Sequence, residues 1–287
     1  MGNIVAKMAD NLLDPNNPLF KILRDNPPVW WKMFKNDQAL YIDVRKDNEL
    51  MIYFEGGRVA CLKYHTRSKK ISATVHPKYL GYNDTSDERY YRQNSSKNPI
   101  YQDVFDYLGE DLLLEIKNNI KLHFTQRNEN DTQEKLIQGD LVTANRDKYL
   151  DSEFAHRQYE GLRKTVRIDL VLIEDGQIVF EELKKLHDPR MNKSEGVPEI
   201  VQQINDYREF ISTNHKAIKE YYKVLYRIKK DLGLPVPAVD ISNVDVRLEP
   251  RLTIKDQNGP DQKTVQKNRT EKIKNILQKA SIDFQII

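Results

Sequence analysis

Two acidic residues and one lysine interrupt strand-like, mostly apolar segments in the second half of the chain. Asp169 lies within Arg167–Ile173, and Glu182 and Lys184 lie two residues apart within Ile178–Lys184. An acid inside a buried strand requires a partner or a metal, and period two places Glu182 and Lys184 on one strand face. Two carboxylates can hold a hard cation such as Mg²⁺, while a nearby lysine orients water or stabilises charge on a phosphate. These residue types therefore suit phosphodiester hydrolysis.

A Glu-x-Lys sequence says little by itself, because 31% of the residues are charged and such a pair is usually an exposed strand edge. The charged neighbours Glu181 and Lys185 also permit a helix. The preceding Gln177–Phe180 is β-branched and aromatic, which favours a strand. Glu174–Gln177 contains Asp-Gly and predicts a hairpin turn. This hairpin brings the three polar groups to one end of a two-stranded unit.

A helical segment further along the chain carries Gln203 and Tyr207, whose four-residue spacing places both side chains on one face. Taken separately, Tyr207 belongs to an apolar helical stripe and Gln203 to a solvated edge. In order with Asp169 and Glu182-Leu-Lys184, the pair resembles the PD-(D/E)XK nuclease superfamily and its RecB-like branch. The resemblance covers roughly residues 130–287, and it departs from the motif at Ile168, which stands where proline is expected.

The resemblance implies a role for each matching residue. Asp169, Glu182 and the backbone carbonyl of Leu183 would bind Mg²⁺ or Mn²⁺, and Lys184 would be the catalytic lysine. Gln203 and Tyr207 would position the nucleic-acid backbone or the lysine. It further implies a nuclease that acts on nucleic acid, DNA in the first place, in bacterial defence or repair. The alternatives are an inactive nuclease fold that binds nucleic acid, or a protein-interaction module.

Two further acids have two interpretations each. Glu134 lies on the helix before the first core strand, where it is either another metal ligand or the glutamate of a capping box that begins at Asp131. Glu153 lies on the first core strand and either reaches the metal or forms a salt bridge to a neighbouring strand. His156 on the same strand is predicted to be a packing or hydrogen-bonding residue, because a hard cation prefers oxygen ligands.

The hydrophobic periodicity predicts two domains with an α/β (α+β overall) architecture. Residues 39–80 alternate with period two and predict an antiparallel β-meander in a β-rich module of residues 1–98. The polar segment 82–98 predicts a surface loop or domain boundary. Residues 99–287 then predict a nuclease-like domain, with a mixed central sheet flanked by helices, as the resemblance implies.

The elements expected in this second domain follow from the same periodicity. Helices are predicted after Pro99 through about residue 124, from about residue 131, over a stripe from Ile200 to Ile211, at about 214–231 and at about 264–280. Strands are predicted at 152–159, 167–173, 178–184, 251–254 and 283–287.

The first half carries a basic segment from residue 58 to residue 80 that contains no acidic residue. It is either a solvated face or a phosphate-contacting patch, with Lys69 and Lys70 as candidate substrate contacts. Tyr53–Gly57 and His76–Leu80 are similar to amino-terminal modules of uncharacterised bacterial proteins. Four aromatic residues among the lysines are candidates for stacking on bases, namely Tyr64, His65, Tyr79 and Tyr82.

Composition narrows the class of protein. An apolar fraction of 39% is typical of a globular chain, and a formal charge of +3 is too small to diagnose a nucleic-acid partner. The single cysteine, Cys61, excludes an internal disulfide framework and a cysteine zinc cluster, and it is expected to be a buried strand residue. We therefore expect a cytoplasmic protein, without a signal peptide or a membrane span.

Overall fold

The computed structural model describes residues 13–80, 109–126, 130–157, 165–191, 197–255 and 264–287. The chain forms two compact units, each built around one sheet. The first draws on residues 11–147 and 223–236, and the second on residues 148–222 and 237–287. None of the helices in the described ranges is long and apolar enough to cross a membrane.

The first unit is built on an antiparallel four-stranded sheet in the order β1-β2-β3-β4. Its elements are α1 (Pro18–Asp25), α2 (Val29–Asn36), β1 (Leu40–Arg45), β2 (Glu49–Phe54), β3 (Gly57–His65) and β4 (Lys70–Thr74). Consecutive strands pair antiparallel, β1 with β2, β2 with β3 and β3 with β4. The predicted meander is therefore confirmed. Cys61 is buried in β3, and burial raises the pKa of its thiol to about 12, so it is an inert strand residue.

Two helices belong to the same unit, α3 (Glu110–Gln126) and α4 (Asn130–Ala144). They approach the β2–β3 turn so closely that side chains are excluded. A Cβ on Gly56 would lie 2.1 Å from the main-chain oxygen of Lys135, and one on Gly57 would lie 2.6 Å from the side chain of Ile120. Gly56 also has a φ of +76°, which glycine adopts without strain.

This close approach explains why residues 110–144 belong with the meander. The sequence predicts a boundary at residue 98 and assigns these helices to the second domain. Residue 98 itself lies outside the described residues, and the helices group with the four-stranded sheet. The predicted division is therefore corrected, because hydrophobic periodicity identifies a helix without identifying the sheet that it covers.

The second unit contains a mixed sheet in the order β10-β9-β7-β6-β5. Its elements are β5 (Tyr149–Arg157), β6 (Thr165–Glu174), β7 (Gln177–Lys185), the first part of α5 (Glu199–Asp231), β8 (Asp245–Val246), β9 (Arg251–Lys255), α6 (Thr264–Lys279) and β10 (Asp283–Ile286). The last residues of α5, 223–231, are grouped with the first unit. β5, β6 and β7 are antiparallel, whereas β9 runs parallel to both β7 and β10, and the short β8 pairs with β7. The predicted α+β class and mixed sheet are confirmed.

Helix α5 is one continuous helix of 33 residues, where the sequence predicts two. The polar residues 212–215 suggest a break, but no glycine or proline is present to cause one. Ile211, Asn214 and Ile218 are buried at helical spacing, and the Asn214 side chain donates to the carbonyl of Phe210 at 3.0 Å. The polar segment 212–215 therefore does not end the helix, because Asn214 belongs to its buried stripe.

We expect Gly139→Ala in α4 to destabilise the protein by about 1–3 kcal/mol, although alanine favours helices. The new Cβ would lie 2.5 Å from the main-chain nitrogen of Gly56 and 2.9 Å from the main-chain carbon of Glu55. Urea unfolding followed by circular dichroism measures the effect. Gly109→Ala is the control, because its Cβ meets nothing within 4 Å. Equal stabilities of the two variants would contradict the predicted close contact.

Candidate active site on the six-stranded sheet

The hairpin β6–β7 brings the predicted acidic residues together. Asp175 and Gly176, at the turn, both have positive φ, as a tight two-residue hairpin requires. The strands pair from Glu174–Gln177 to Leu170–Glu181. Immediately beyond that pair, the main-chain N–H of Leu183 donates to Oδ2 of Asp169 at 2.9 Å. The Asp169 side chain is thereby fixed to the strand that carries the other two groups.

Lys184 lies among the carboxylates on the same face of β7 as Glu182. Its ammonium group donates to Oε1 of Glu182 and, at 2.8 Å, to the carbonyl of Leu183, and it lies 3.9 Å from Oδ2 of Asp169. The Glu182 and Lys184 side chains are almost completely buried, whereas that of Asp169 is 35% exposed. The predicted Asp, Glu and Lys set therefore forms one contiguous cluster that opens at Asp169.

Helix α5 supplies two further polar groups, and both contact Glu182. Gln203 Nε2 donates to Glu182 Oε1 at 2.7 Å and to the Tyr207 hydroxyl at 2.6 Å. That hydroxyl is within hydrogen-bonding distance of both the Arg167 carbonyl and, at 3.1 Å, Glu182 Oε2. The pair therefore fixes the orientation of the glutamate, whose Oε1 also accepts a hydrogen bond from Lys184.

The electrostatics of the cluster are unfavourable for two negative charges. Burial, together with the charge of Asp169, raises the pKa of Glu182 to about 7, even though Lys184 opposes the shift. Burial also raises the pKa of Asp169, against the effects of Lys184 and the Leu183 N–H. Two carboxylates whose ionised forms are disfavoured, one buried and one partly exposed, form a donor set that a divalent cation would stabilise.

The donor set is small. In the described ranges, no group of three or more His, Cys, Asp or Glu side chains is arranged to hold a metal ion. Two carboxylates and a carbonyl still fit Mg²⁺, because this ion keeps several water ligands and needs only one or two protein carboxylates. Asp169, Glu182 and the carbonyl of Leu183 are thus compatible with the predicted cation.

Glu153 and His156, both on β5, have different surroundings. Glu153 has a φ of +51°, and it lies between the pairs Ser152–Leu170 and Phe154–Ile168, which places it across from Asp169. Its charge raises the pKa of Asp169, so it belongs to the neighbourhood of the cluster. The His156 ring packs against Phe210 with centroids 5.4 Å apart, in agreement with the predicted packing role.

The remaining predicted site residues lie in the first unit. Glu134 is on α4, and its metal-binding role stays a prediction. Lys69 and Lys70 are exposed at the β3–β4 turn, and their substrate-binding role also stays a prediction.

The predicted aromatic platform of the first unit is wrong at Tyr79. This side chain is buried and packs against His76 and His123, so it has no face to offer a base. His65 lies 2.6 Å from the hydroxyl of Ser72, and Tyr82 lies outside the described residues.

Glu181 is as buried as Glu182, but it lies on the opposite face of β7. Its side chain is 1% exposed, accepts a hydrogen bond from the Tyr149 hydroxyl at 3.3 Å and lies 3.8 Å from the Arg251 guanidinium. Arg251 also pairs with Glu174 and Asp283. Glu181 thus belongs to a structural ion network, and it serves as a matched control for Glu182.

The sequence did not single out Asp188 and Arg190, which follow β7 directly. Asp188 is buried, and both residues interact electrostatically with the cluster, Asp188 with Lys184 and Arg190 with Asp169. A usable signal was present, because Asp188-Pro-Arg190 marks a tight turn at the end of the strand that carries Lys184.

Comparison of the chain with known protein families, with curated proteins and with solved structures finds no match.

With EDTA present, we expect the free energy of unfolding of Glu182→Gln to exceed that of the wild type by an amount that increases as the pH rises from about 5 to about 8. The folded protein keeps the Glu182 proton up to about pH 7, whereas the unfolded chain loses it near 4.5. Wild-type stability therefore falls across this interval, by up to about 3 kcal/mol. Urea unfolding at both pH values measures the difference. A pH-independent difference would show that Glu182 is ionised throughout.

Proposed function

We propose that the chain is a divalent-metal-dependent nuclease that hydrolyses phosphodiester bonds, with DNA as the favoured substrate. The observation that carries this proposal is the convergence of Asp169, Glu182 and Lys184 in one cluster, with Gln203 and Tyr207 bound to Glu182. The sequence resemblance uses the same five residues. The mixed sheet with its helices also agrees with the restriction-endonuclease-like core that the resemblance implies.

Asp169, Glu182 and the carbonyl of Leu183 would hold the cation, Mg²⁺ or Mn²⁺. When bound, the cation supplies activation of the attacking water and neutralisation of charge on the phosphate. The carboxylates are suited to this task because burial destabilises both ionised forms, and the charge of Asp169 destabilises that of Glu182 further. Glu182 is held by three neighbouring side chains, which limits the reorganisation needed when the site fills.

Lys184 would act on the phosphate as a fixed positive charge. Its ammonium group is buried and bound by Glu182 and the Leu183 carbonyl, so its position is determined before substrate arrives. A preorganised charge stabilises the negative charge that develops in the transition state at little reorganisation cost. Tyr207 is not a general base in this scheme, because burial raises the pKa of its hydroxyl far above neutrality.

The first test of this proposal is cleavage of labelled linear, circular and single-stranded nucleic acids with Mn²⁺. We expect Lys184→Ala to lower the rate by about a hundredfold or more. Lys185→Ala is the matched control, because Lys185 is the next residue of β7, is similarly buried and points to the opposite face. Circular dichroism verifies that both variants fold.

The outcomes separate the alternatives. If the wild type binds nucleic acid and leaves every substrate uncut, the inactive binding module is favoured. If it neither binds nor cuts, a protein-interaction role is favoured. Equal cleavage by wild type and Lys184→Ala would remove Lys184 from the mechanism.

A second test measures the cation directly. Mg²⁺ at about a hundred times its Kd should stabilise the wild type by about 2.7 kcal/mol, which raises the Tm by several degrees. Asp169→Asn and Glu182→Gln should lose this shift, since each removes a charged ligand. Glu181→Gln should keep it, because Glu181 faces the other side of the sheet. A shift that all three variants retain would locate the cation elsewhere.

A further inference from the structure

The chain makes a tight turn directly after the strand that carries Lys184. Leu186 N–H donates to the Lys255 carbonyl at 3.0 Å, which extends the pairing of β7 with β9. The N–H of Asp188 then returns to the Lys185 carbonyl at 3.0 Å, and a single 3₁₀ turn, Pro189–Met191, follows. Asp188 and Arg190 are thus held at a defined place, four and six residues after Lys184.

The Asp188 carboxylate holds the Arg190 guanidinium by one edge. Arg190 Nε lies 3.0 Å from Oδ1 and 3.2 Å from Oδ2, and Nη2 lies 2.6 Å from Oδ2. The main-chain N–H of Arg190 also donates to Oδ1 at 2.8 Å. Burial favours the neutral acid, but the hydrogen bonds from Arg190 and the charge of Lys184 lower the pKa of Asp188 below its ordinary value. Asp188 is therefore an ionised, buried anchor.

Arg190 follows the strand that carries Lys184 and reaches the surface. The Arg190 side chain is 37% exposed, whereas its anchor Asp188 is almost completely buried. Its positive charge lowers the pKa of Asp169, which is the cluster residue with the greatest exposure among Asp169, Glu182 and Lys184. The anchor occupies one edge of the guanidinium group, through Nε and Nη2.

Phosphate binding is the chemistry that this arrangement suits. Glu153, Asp169 and Glu182 give the site a negative character that repels a phosphodiester. Lys184 is buried, and its donors are directed at Glu182 and the Leu183 carbonyl. Arg190 combines exposure with a fixed orientation, and its planar fork matches two oxygens of a phosphate group.

We propose that Arg190 binds a backbone phosphate of the nucleic acid beside the reacting bond, and that Asp188 is the positioning residue that orients its guanidinium group. The assignment rests on the proposed function of the site. In this proposal, the Arg190 guanidinium is the group that attracts the anionic nucleic-acid strand to the acidic site. A surface arginine without an anchor would have to order a long side chain on binding, whereas Arg190 is already held.

The test is equilibrium binding of a short fluorescent DNA duplex and its single strand to the full chain with Mg²⁺, in the Lys184→Ala background, at about 50–200 mM salt. Arg190→Gln should weaken binding roughly ten- to a hundredfold. It should also reduce the slope of log K against log salt concentration by about one, because one phosphate contact is lost. A purely structural role of Arg190 would leave that slope unchanged.

Three further variants sharpen the test. Arg190→Lys should keep the salt slope and recover only part of the affinity, since the charge remains without the fork. Asp188→Asn should weaken binding by a smaller factor than Arg190→Gln. Arg247→Gln is the control, because Arg247 is 30% exposed and paired with Asp283 in the same unit, and it should bind as the parent does.

Equal salt slopes for Arg190→Gln and its parent overturn the assignment, and so does a chain that binds neither probe. If the variants bind with the expected salt slopes but the wild type cuts no substrate, the Arg190 contact is supported and the nuclease activity is refuted.

Discussion

The electrostatic conflict between Asp169 and Glu182 is the constraint on which the candidate site depends. Burial raises the pKa of both carboxyl groups and the charge of Asp169 raises that of Glu182 further, so their ionised forms cost free energy in the folded protein. Each neighbouring contact offsets part of that cost: the Leu183 N–H supports Asp169, and Lys184 with the polar groups of α5 supports Glu182. A conflict of this kind is characteristic of functional sites, because a bound cation removes it.

Strand β7 shows how position decides the chemistry of identical side chains. Glu181 and Glu182 are adjacent and equally buried, but they lie on opposite faces of the sheet. Glu181 meets a tyrosine hydroxyl and the guanidinium of Arg251, although burial still raises its pKa. Glu182 contacts Lys184 and Gln203, and the charge of a second carboxylate, Asp169, raises its pKa. The first arrangement belongs to an ion network within the sheet, whereas the second supplies the carboxylates that the proposed cation would use.

The short turn after β7 contains a further charged pair, Asp188 and Arg190, outside the three motif residues. Asp188 resembles Glu182 in being a buried acid with a cationic partner, but its partner, Arg190, reaches the surface. The buried carboxylate consequently holds an exposed cation in place, which is the opposite of a solvated ion pair between two mobile side chains. The charge of Arg190 acts on Asp169, and in the proposed function it would attract the anionic substrate to the acidic centre.

The sequence by itself determined the local elements: period two gave β6 and β7, Asp175-Gly176 gave their hairpin, and the four-residue spacing placed Gln203 and Tyr207 on one helical face. Only the tertiary structure decided the partners of those elements. It continued α5 through a polar segment, grouped α3 and α4 with the meander, buried Tyr79, and directed Gln203 and Tyr207 to Glu182. The physical reason is that periodicity records which face of an element is buried, whereas contacts between residues distant in sequence depend on the surface against which that face packs.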